Sequence, residues 1–313
     1  MRILVTGASG FIGKNFLLAK SNKNREVFAI YHKSKDFIQF IKDNNLENIR
    51  PLRCNLSSKQ DVVSLSRKVG KKFDVILYLA ANGNPAVSFK MPEYDLMANT
   101  LNLLNFLTVF TCRRFIYFSS GAVYDGIVGP VRPNRSIISP TLPYAISKLA
   151  SENYVMAFKE RYKSIGNYIS VRFFGAYGPY EPERKIYTRL VRSFFIENKC
   201  EFTVIGDGKN LIDAMYIDDT VRAINKIISA PYGNLTLDLA TGNPLSVNEL
   251  VKNAAAIFGK RKIKIHHKLN VAEYINFYSQ DTRFKKLYSF TPQISLDDGL
   301  RRLSDFIKNE NTR

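Results

Sequence analysis

Tyr144 and Lys148 stand four residues apart in Pro-Tyr-Ala-Ile-Ser-Lys, a spacing that puts both on one face of a helix. An ammonium beside a phenol favours the phenolate, so the pair can act as a general acid and base near neutral pH. Alone, the same spacing also fits a tyrosine and a lysine that only pack and solvate a helix. A second feature gives it company: Gly7, Gly10 and Gly13 punctuate Thr6-Gly-Ala-Ser-Gly-Phe-Ile-Gly13, directly after the short apolar run Ile3-Leu4-Val5. Glycines at this spacing, between a strand and a helix, let a pyrophosphate reach backbone amides at the positive end of the helix dipole. An acid/base pair downstream of a dinucleotide turn points to redox chemistry.

The turn assigns Gly7, Ser9, Gly10, Phe11, Ile12 and Gly13 to cofactor binding. The end of the second strand should then say which dinucleotide binds, because a carboxylate there accepts the ribose hydroxyls of NAD whereas cations accommodate a 2′-phosphate. It reads Ile30-Tyr31-His32-Lys33-Ser34-Lys35. With no carboxylate in that stretch, Tyr31, His32 and Lys33 are the expected contacts and NADP is favoured over NAD, although NAD held tightly through backbone contacts is compatible with the same residues.

These groups need a frame. The first half alternates short β-branched runs with longer amphipathic segments, the pattern of βαβ units. Strands are expected near 2–6, 26–31, 49–53, 74–79, 114–119 and 168–173, with helices near 11–20, 58–69, 92–112 and 144–163, where Pro92 and Pro143 suit first-turn positions. The fold class is therefore α/β, a doubly wound parallel sheet of the Rossmann kind with a smaller, interleaved C-terminal substrate-binding lobe. After Gly175 the pattern loosens into a helix near 185–198, short strands near 202–205 and 214–217, and helices near 219–229 and 246–258. Residues 1–174, with elements from about 214–240, should form the dinucleotide-binding domain, and 175–313 mainly the substrate lobe.

The chain of 313 residues is long enough for such a domain plus lobe, and 45% hydrophobic residues can fill its core. Met1-Arg2-Ile3-Leu4-Val5 runs straight into the glycine turn and no apolar stretch is long enough to span a bilayer, so a cytoplasmic protein without membrane attachment is expected. Cys54, Cys112 and Cys200 lack metal-ligand spacing, and neither a disulfide nor a metal site is expected. The formal charge of +19 favours anionic partners, with the basic residues spread along the chain. The densest run, Lys260 to Lys268, alternates isoleucines with basic residues and lacks interleaved aromatics, which reads as a half-buried strand and not as a nucleic-acid patch.

Taken together, the motifs resemble those of the extended short-chain dehydrogenases/reductases, in the group of nucleotide-sugar epimerases, dehydratases and reductases. The resemblance covers nearly the whole chain. It is carried by the glycine turn, Leu79-Ala-Ala81, Asn99, Ser119-Ser-Gly-Ala-Val-Tyr124, Tyr144 to Lys148, Arg172-Phe-Phe-Gly-Ala-Tyr-Gly-Pro179, and Ile205-Gly-Asp-Gly208 followed by Tyr216-Ile-Asp-Asp219. It implies that Ser120 is the catalytic hydroxyl, Tyr144 the acid/base, and Lys148 the group that orients the nicotinamide ribose and lowers the tyrosine pKa. Leu79, Ala80, Ala81 and Asn99 join the implied cofactor contacts. The implied chemistry is hydride transfer at carbon 4 of a nucleotide-activated sugar, as a 4-dehydrogenase or 4-keto reductase, with a 4-epimerase as the alternative inside the fold. A non-catalytic NAD(P)- or RNA-binding module is the remote alternative.

Departures from the family pattern narrow this. Dehydratases of the group carry an acidic pair directly after the catalytic hydroxyl, where this chain has Gly121 and Ala122, so 4,6-dehydration is not expected. The family often has asparagine where this chain has Gly175 and arginine where it has Ile212, both facing the nucleotide diphosphate. Arg184, Lys185 and Arg189 are the candidates to replace that charge, and Ser88 and Tyr177 lie in segments that line the cleft in relatives. The resemblance also implies a homodimer through the helices near 92–112 and 144–163, with Leu103, Leu104, Leu107 and Phe110 at the seam or else packed on the sheet.

Overall fold

The computed structural model describes residues 1–268 and 275–310. Its centre is a seven-stranded sheet whose strands lie in the order Leu235–Leu239, Ile165–Phe173, Thr111–Ser120, Lys72–Tyr78, Arg2–Thr6, Glu26–Tyr31, Ile49–Arg53. Every pairing in it is parallel. Side chains alternate faces along each strand, so Ile3, Val5, Val75, Leu77, Ile116 and Val171 enter one core and Leu4, Ile76, Phe115 and Tyr117 the other. Both faces are covered, which is why these strands read as continuous apolar runs.

Strand order reverses at Arg2–Thr6, which pairs with Glu26–Tyr31 on one side and Lys72–Tyr78 on the other. In open α/β sheets the crevice beyond the carboxyl ends of the strands at such a reversal is the ligand site. The helix Phe11–Leu18 starts there and packs against Ile217–Ser229. A third core, built from Tyr177, Tyr187, Leu190, Phe194, Tyr216, Leu250 and Leu303, lies outside the sheet and forms the lobe. No helix among the described residues is long and apolar enough to cross a membrane.

Several boundaries differ from expectation. The helical stretch expected over 92–112 runs Pro92–Leu96, a wider turn at Met97–Leu101, then Asn102–Leu107, and the next strand already begins at Thr111. Its last residues, Val109 to Cys112, are apolar enough for either state, and pairing with Lys72 and Phe73 draws Thr111 and Cys112 into the sheet. Leu103, Leu107 and Phe110 are buried against the sheet and Leu104 packs on the same core, so none of them is free for a seam. The outward apolar residues there include Tyr94, Leu96, Met97 and Leu101, with Ile146, Tyr154 and Met156 on the neighbouring helix Pro143–Glu160. The segment near 214–217 supplies only the two-residue strand Met215–Tyr216, parallel to Ala176–Tyr177. Within the basic run only Lys264–Lys268 is strand, beside Glu201–Ile205, with Ile265 half-buried. The final sheet strand Leu235–Leu239 and the helices Phe37–Asp43 and Leu296–Glu310 carried no separate sequence expectation.

Candidate active site

Gly7 has φ of +66°, and a Cβ there would sit 2.8 Å from the Ala80 amide nitrogen, so the turn and the next strand end can meet only through glycine. Thr6 Oγ1 draws the two together by accepting from the amides of Leu79 and Ala80 at 3.1 and 3.2 Å. Gly10 precedes the helix without any side-chain cap, and a Cβ on it would meet nothing but the Gly7 carbonyl. Open space thus lies over the uncapped first-turn amides, the arrangement that receives a phosphate. Gly7, Gly10, Phe11, Ile12, Gly13, Leu79 and Ala81 all line one cleft of about 650 Å³.

Ser120, Tyr144 and Lys148 line the same cleft. Ser120 ends the third-from-edge strand, where backbone turns, and its Oγ accepts from the Ala122 amide at 3.1 Å. The turn that follows is pinned from below: Arg172 donates to the Tyr124 hydroxyl at 3.0 Å while Tyr124 donates to Asp238 at 2.9 Å. Arg172 is itself held by Glu152 at 2.8 Å in a buried ion pair. Asp238, buried among these groups, is pushed up to about 7 chiefly by desolvation. Tyr144 enters from the start of its helix behind Pro143, and its amide donates to Ser88 Oγ at 3.1 Å.

Burial raises the Tyr144 phenol above its ordinary value, and a hydrogen bond with Ser120 pulls it back. The ammonium of Lys148 donates to the Phe118 carbonyl and lies 4.7 Å from the Tyr117 ring centroid. Burial lowers it to about 8, with Glu152 and Asp95 acting in the opposite sense. In this arrangement the Lys148 ammonium is turned toward the Phe118 carbonyl, and the lowering of the Tyr144 pKa comes from the Ser120 hydroxyl.

Other expected site residues occupy supporting positions. Asn99 is buried with its amide spent on Asp95 and Ser147 and its side-chain carbonyl accepting from the Asn82 amide, so it ties the segment after Ala81 to the Tyr144 helix. Ser88, fully buried, donates to the Pro85 carbonyl and accepts from the Tyr144 amide. Tyr177 is stacked on Tyr187 at 4.1 Å within the lobe core and does not face the cleft. Arg189 donates to the Thr203 carbonyl and lies over the Phe202 ring, again away from the cleft. Arg184 and Lys185 do line it. Ser9, Tyr31, His32, Lys33 and Ala80 are not among its lining residues. Tyr31 packs on Phe37, while His32 is lowered by desolvation and by the neighbouring charges of Lys33 and Arg53. One residue beyond the stretch read for cations, Asp36 accepts from Ser34 at 2.8 Å and pairs with Lys14, so the loop is less cationic than its spelling suggests.

Gly175 also has a local reason. Its φ is +153° and a Cβ would meet the Ala214 methyl at 3.2 Å, so a larger side chain is strained there. Ile212 lines the cleft from a short antiparallel pair with Leu245. Asp213 next to it is spent on the Thr241 hydroxyl and the amides of Thr241 and Gly242. Lining residues that no sequence motif singled out include Asp125, Ile275 and Phe277. Asp125 directly follows Tyr124 and was within reach of the motif, whereas Phe277 arrives from far along the chain by pairing of Asn276–Ser279 with Val128–Val131.

The sequence model of the NAD dependent epimerase/dehydratase family matches residues 3–236. The chain is 30% identical over 316 residues to an uncharacterized UDP-glucose epimerase of Bacillus subtilis, covering 96% of each. It is 27% identical over 325 residues to a UDP-glucuronate 4-epimerase of Thermodesulfobacterium geofontis, covering 97% of this chain and 95% of that protein. Among solved structures it is similar to a UDP-glucose 4-epimerase of Thermotoga maritima with UDP-glucose, at a TM-score of 0.87 and 23% identity over 99% of this chain and 100% of that one. The same TM-score, identity and coverage hold for a UDP-glucuronic acid 4-epimerase of Bacillus cereus in complex with UDP-glucuronic acid and NAD.

Proposed function

The chain belongs to the NAD-dependent epimerase/dehydratase family, and from that premise we propose that it is an NAD-dependent 4-epimerase of a nucleotide-activated sugar. The observation that carries this is that Ser120, Tyr144 and Lys148 line the one cleft that also contains the uncapped glycine turn. Relatives matched over nearly their full length and named as epimerases, one of them as a 4-epimerase, favour it over a net 4-dehydrogenase or 4-keto reductase, which becomes the second reading. Gly121 and Ala122 in the cleft wall keep 4,6-dehydration out of the proposal.

The dinucleotide would lie on the glycine turn, with its pyrophosphate over the first-turn amides after Gly10. When bound, it supplies a hydride acceptor and donor. NAD is the cofactor we propose: the family description names it, and the NADP preference expected from His32 and Lys33 finds no support. Tyr144 takes the proton from the carbon-4 hydroxyl and later returns it, while Ser120 holds the same oxygen. Lys148, charged below about pH 8, keeps a positive potential under the phenol as it ionises. Arg184 and Lys185 receive the diphosphate in place of the residues that Gly175 and Ile212 displace. In this reading residues 1–174, with about 214–240, hold the dinucleotide and the rest of 175–313 holds the substrate. Packing of Ile217–Ser229 on the first helix and insertion of Leu235–Leu239 into the sheet support that division.

The test is to incubate the purified protein with nucleotide sugars while following reduced-nicotinamide absorbance and product identity, after releasing and weighing the retained cofactor. Carbon-4 isomers forming without net change in nicotinamide, over retained NAD, is the expected result. Stoichiometric nicotinamide reduction or oxidation would replace it with the second reading.

A further inference from the structure

Asp125 closes the turn that begins at Ser120 and lines the cleft with Ser120 and Tyr144. Its Oδ2 accepts from the Thr141 amide at 2.9 Å, the Thr141 hydroxyl at 3.1 Å and the Leu142 amide at 3.0 Å. Thr141 and Leu142 lead directly into Pro143 and Tyr144, so the carboxylate ties the turn that follows Ser120 to the segment that enters the Tyr144 helix. One oxygen is fully engaged. Oδ1 has no hydrogen-bond partner among the described residues, and the side chain is only half-buried.

The neighbouring wall cannot balance this charge. Gly121, Ala122, Leu142, Phe174 and Phe277 offer no cation and no side-chain donor. Of the cations among the described lining residues, Lys148 is committed to the Phe118 carbonyl, and Arg184 and Lys185 stand on the segment entering the Ile186–Val191 helix of the lobe. A sugar hydroxyl brought against Asp125 finds an acceptor. A sugar carboxylate brought there loses water and meets a like charge with no cation between them.

Resting on the nucleotide-sugar reading above, we propose that Asp125 is a specificity-determining residue that selects hexoses with an uncharged substituent at carbon 5 and rejects uronates. Like-charge juxtaposition in a recognition site is worth on the order of 100-fold in discrimination. The selection adds to the chemistry and does not enter it, because Asp125 takes no proton from the substrate.

UDP-glucose and UDP-glucuronate differ only at that substituent and are the probes. Their dissociation constants and kcat/KM are measured on the NAD-loaded wild type and on Asp125→Asn. The wild type should favour UDP-glucose by on the order of 100-fold. Asp125→Asn should shrink that ratio at least about tenfold, since its amide oxygen still accepts from Thr141 and Leu142 while its nitrogen can donate to a carboxylate. A role confined to clamping the Tyr144 helix would lower both activities together and leave the ratio unmoved, which overturns the proposal. So does a wild type that binds or converts both sugars equally, a result that needs no variant. Binding of neither nucleotide sugar by protein that retains NAD overturns the nucleotide-sugar reading, and the inference with it.

Discussion

The phenol of Tyr144 is held protonated by burial and drawn back only by its hydrogen bond with Ser120. A proton that leaves it therefore needs the cation of Lys148 nearby, and Lys148 keeps that charge only below about pH 8. Tyr144→Phe should cut kcat by on the order of 10²–10⁴-fold while NAD content after purification stays unchanged, because the ring keeps its place and only the hydroxyl is lost. Retained activity would remove Tyr144 from the acid/base role. For Lys148 the sign follows from its lowered value: the positive charge is present at acidic and neutral pH and is lost as pH rises through about 8. The kcat/KM profile should fall on that alkaline limb. In Lys148→Arg, whatever activity remains should keep its limb above pH 8, since the guanidinium stays charged.

The segment that brings Arg184 and Lys185 to the cleft is set by a buried carboxylate. Glu181 accepts from the Thr188 amide at 3.2 Å and the Thr188 hydroxyl at 2.8 Å, tying the loop to the first turn of Ile186–Val191. Desolvation raises it to about 7 against the pull of those hydrogen bonds and of the two cations. A carboxyl group whose folded value lies above its unfolded value stabilises the fold fully below about 4.5, and that contribution is lost as pH rises through about 7. The wild type should lose up to about 3 kcal/mol between pH 5 and pH 8 from this group, and Glu181→Gln should flatten that part of the curve. Denaturant unfolding at both pH values measures it, and parallel curves for the two proteins would show that Glu181 ionises normally. The same segment carries Tyr180 in the left-handed region, packed edge-on against Phe40 and Phe306, which ties the lobe to the sheet domain.

Two helices lie side by side on one face of the molecule with their apolar residues turned outward. Tyr94, Met97 and Leu101 on one, at helical spacing, and Ile146 and Tyr154 on the other, form a stripe that a second copy would cover. The homodimer we propose uses this stripe and not Leu103, Leu104, Leu107 and Phe110, which the sheet already holds. Met97→Glu with Leu101→Glu should shift the sedimenting species from dimer to monomer with little change in secondary structure. A wild type that sediments as a monomer at micromolar concentration would refute the arrangement. The formal charge of +19 belongs to this scale as well, since it biases the whole surface toward anionic ligands without naming one.

Local chemistry was legible in the linear chain: the glycine turn, the Tyr144/Lys148 spacing and the strand-helix alternation each depend on neighbours within a few residues, and backbone geometry fixes their consequences. The doubly wound sheet and its parallel direction followed from that pattern. What the chain order could not show was where side chains with two plausible duties are spent. Asn99, Ser88, Tyr177 and Arg189 each carry groups suited to ligand contact, and each is claimed by partners up to 56 residues away in sequence or by a packed core. Lys148 turning to Phe118, and Asp125 meeting Thr141, are decided the same way, by which strand ends the sheet register brings together. Spacing determines which residues can share a face; only the folded contacts determine which of their polar atoms remain free to meet a substrate.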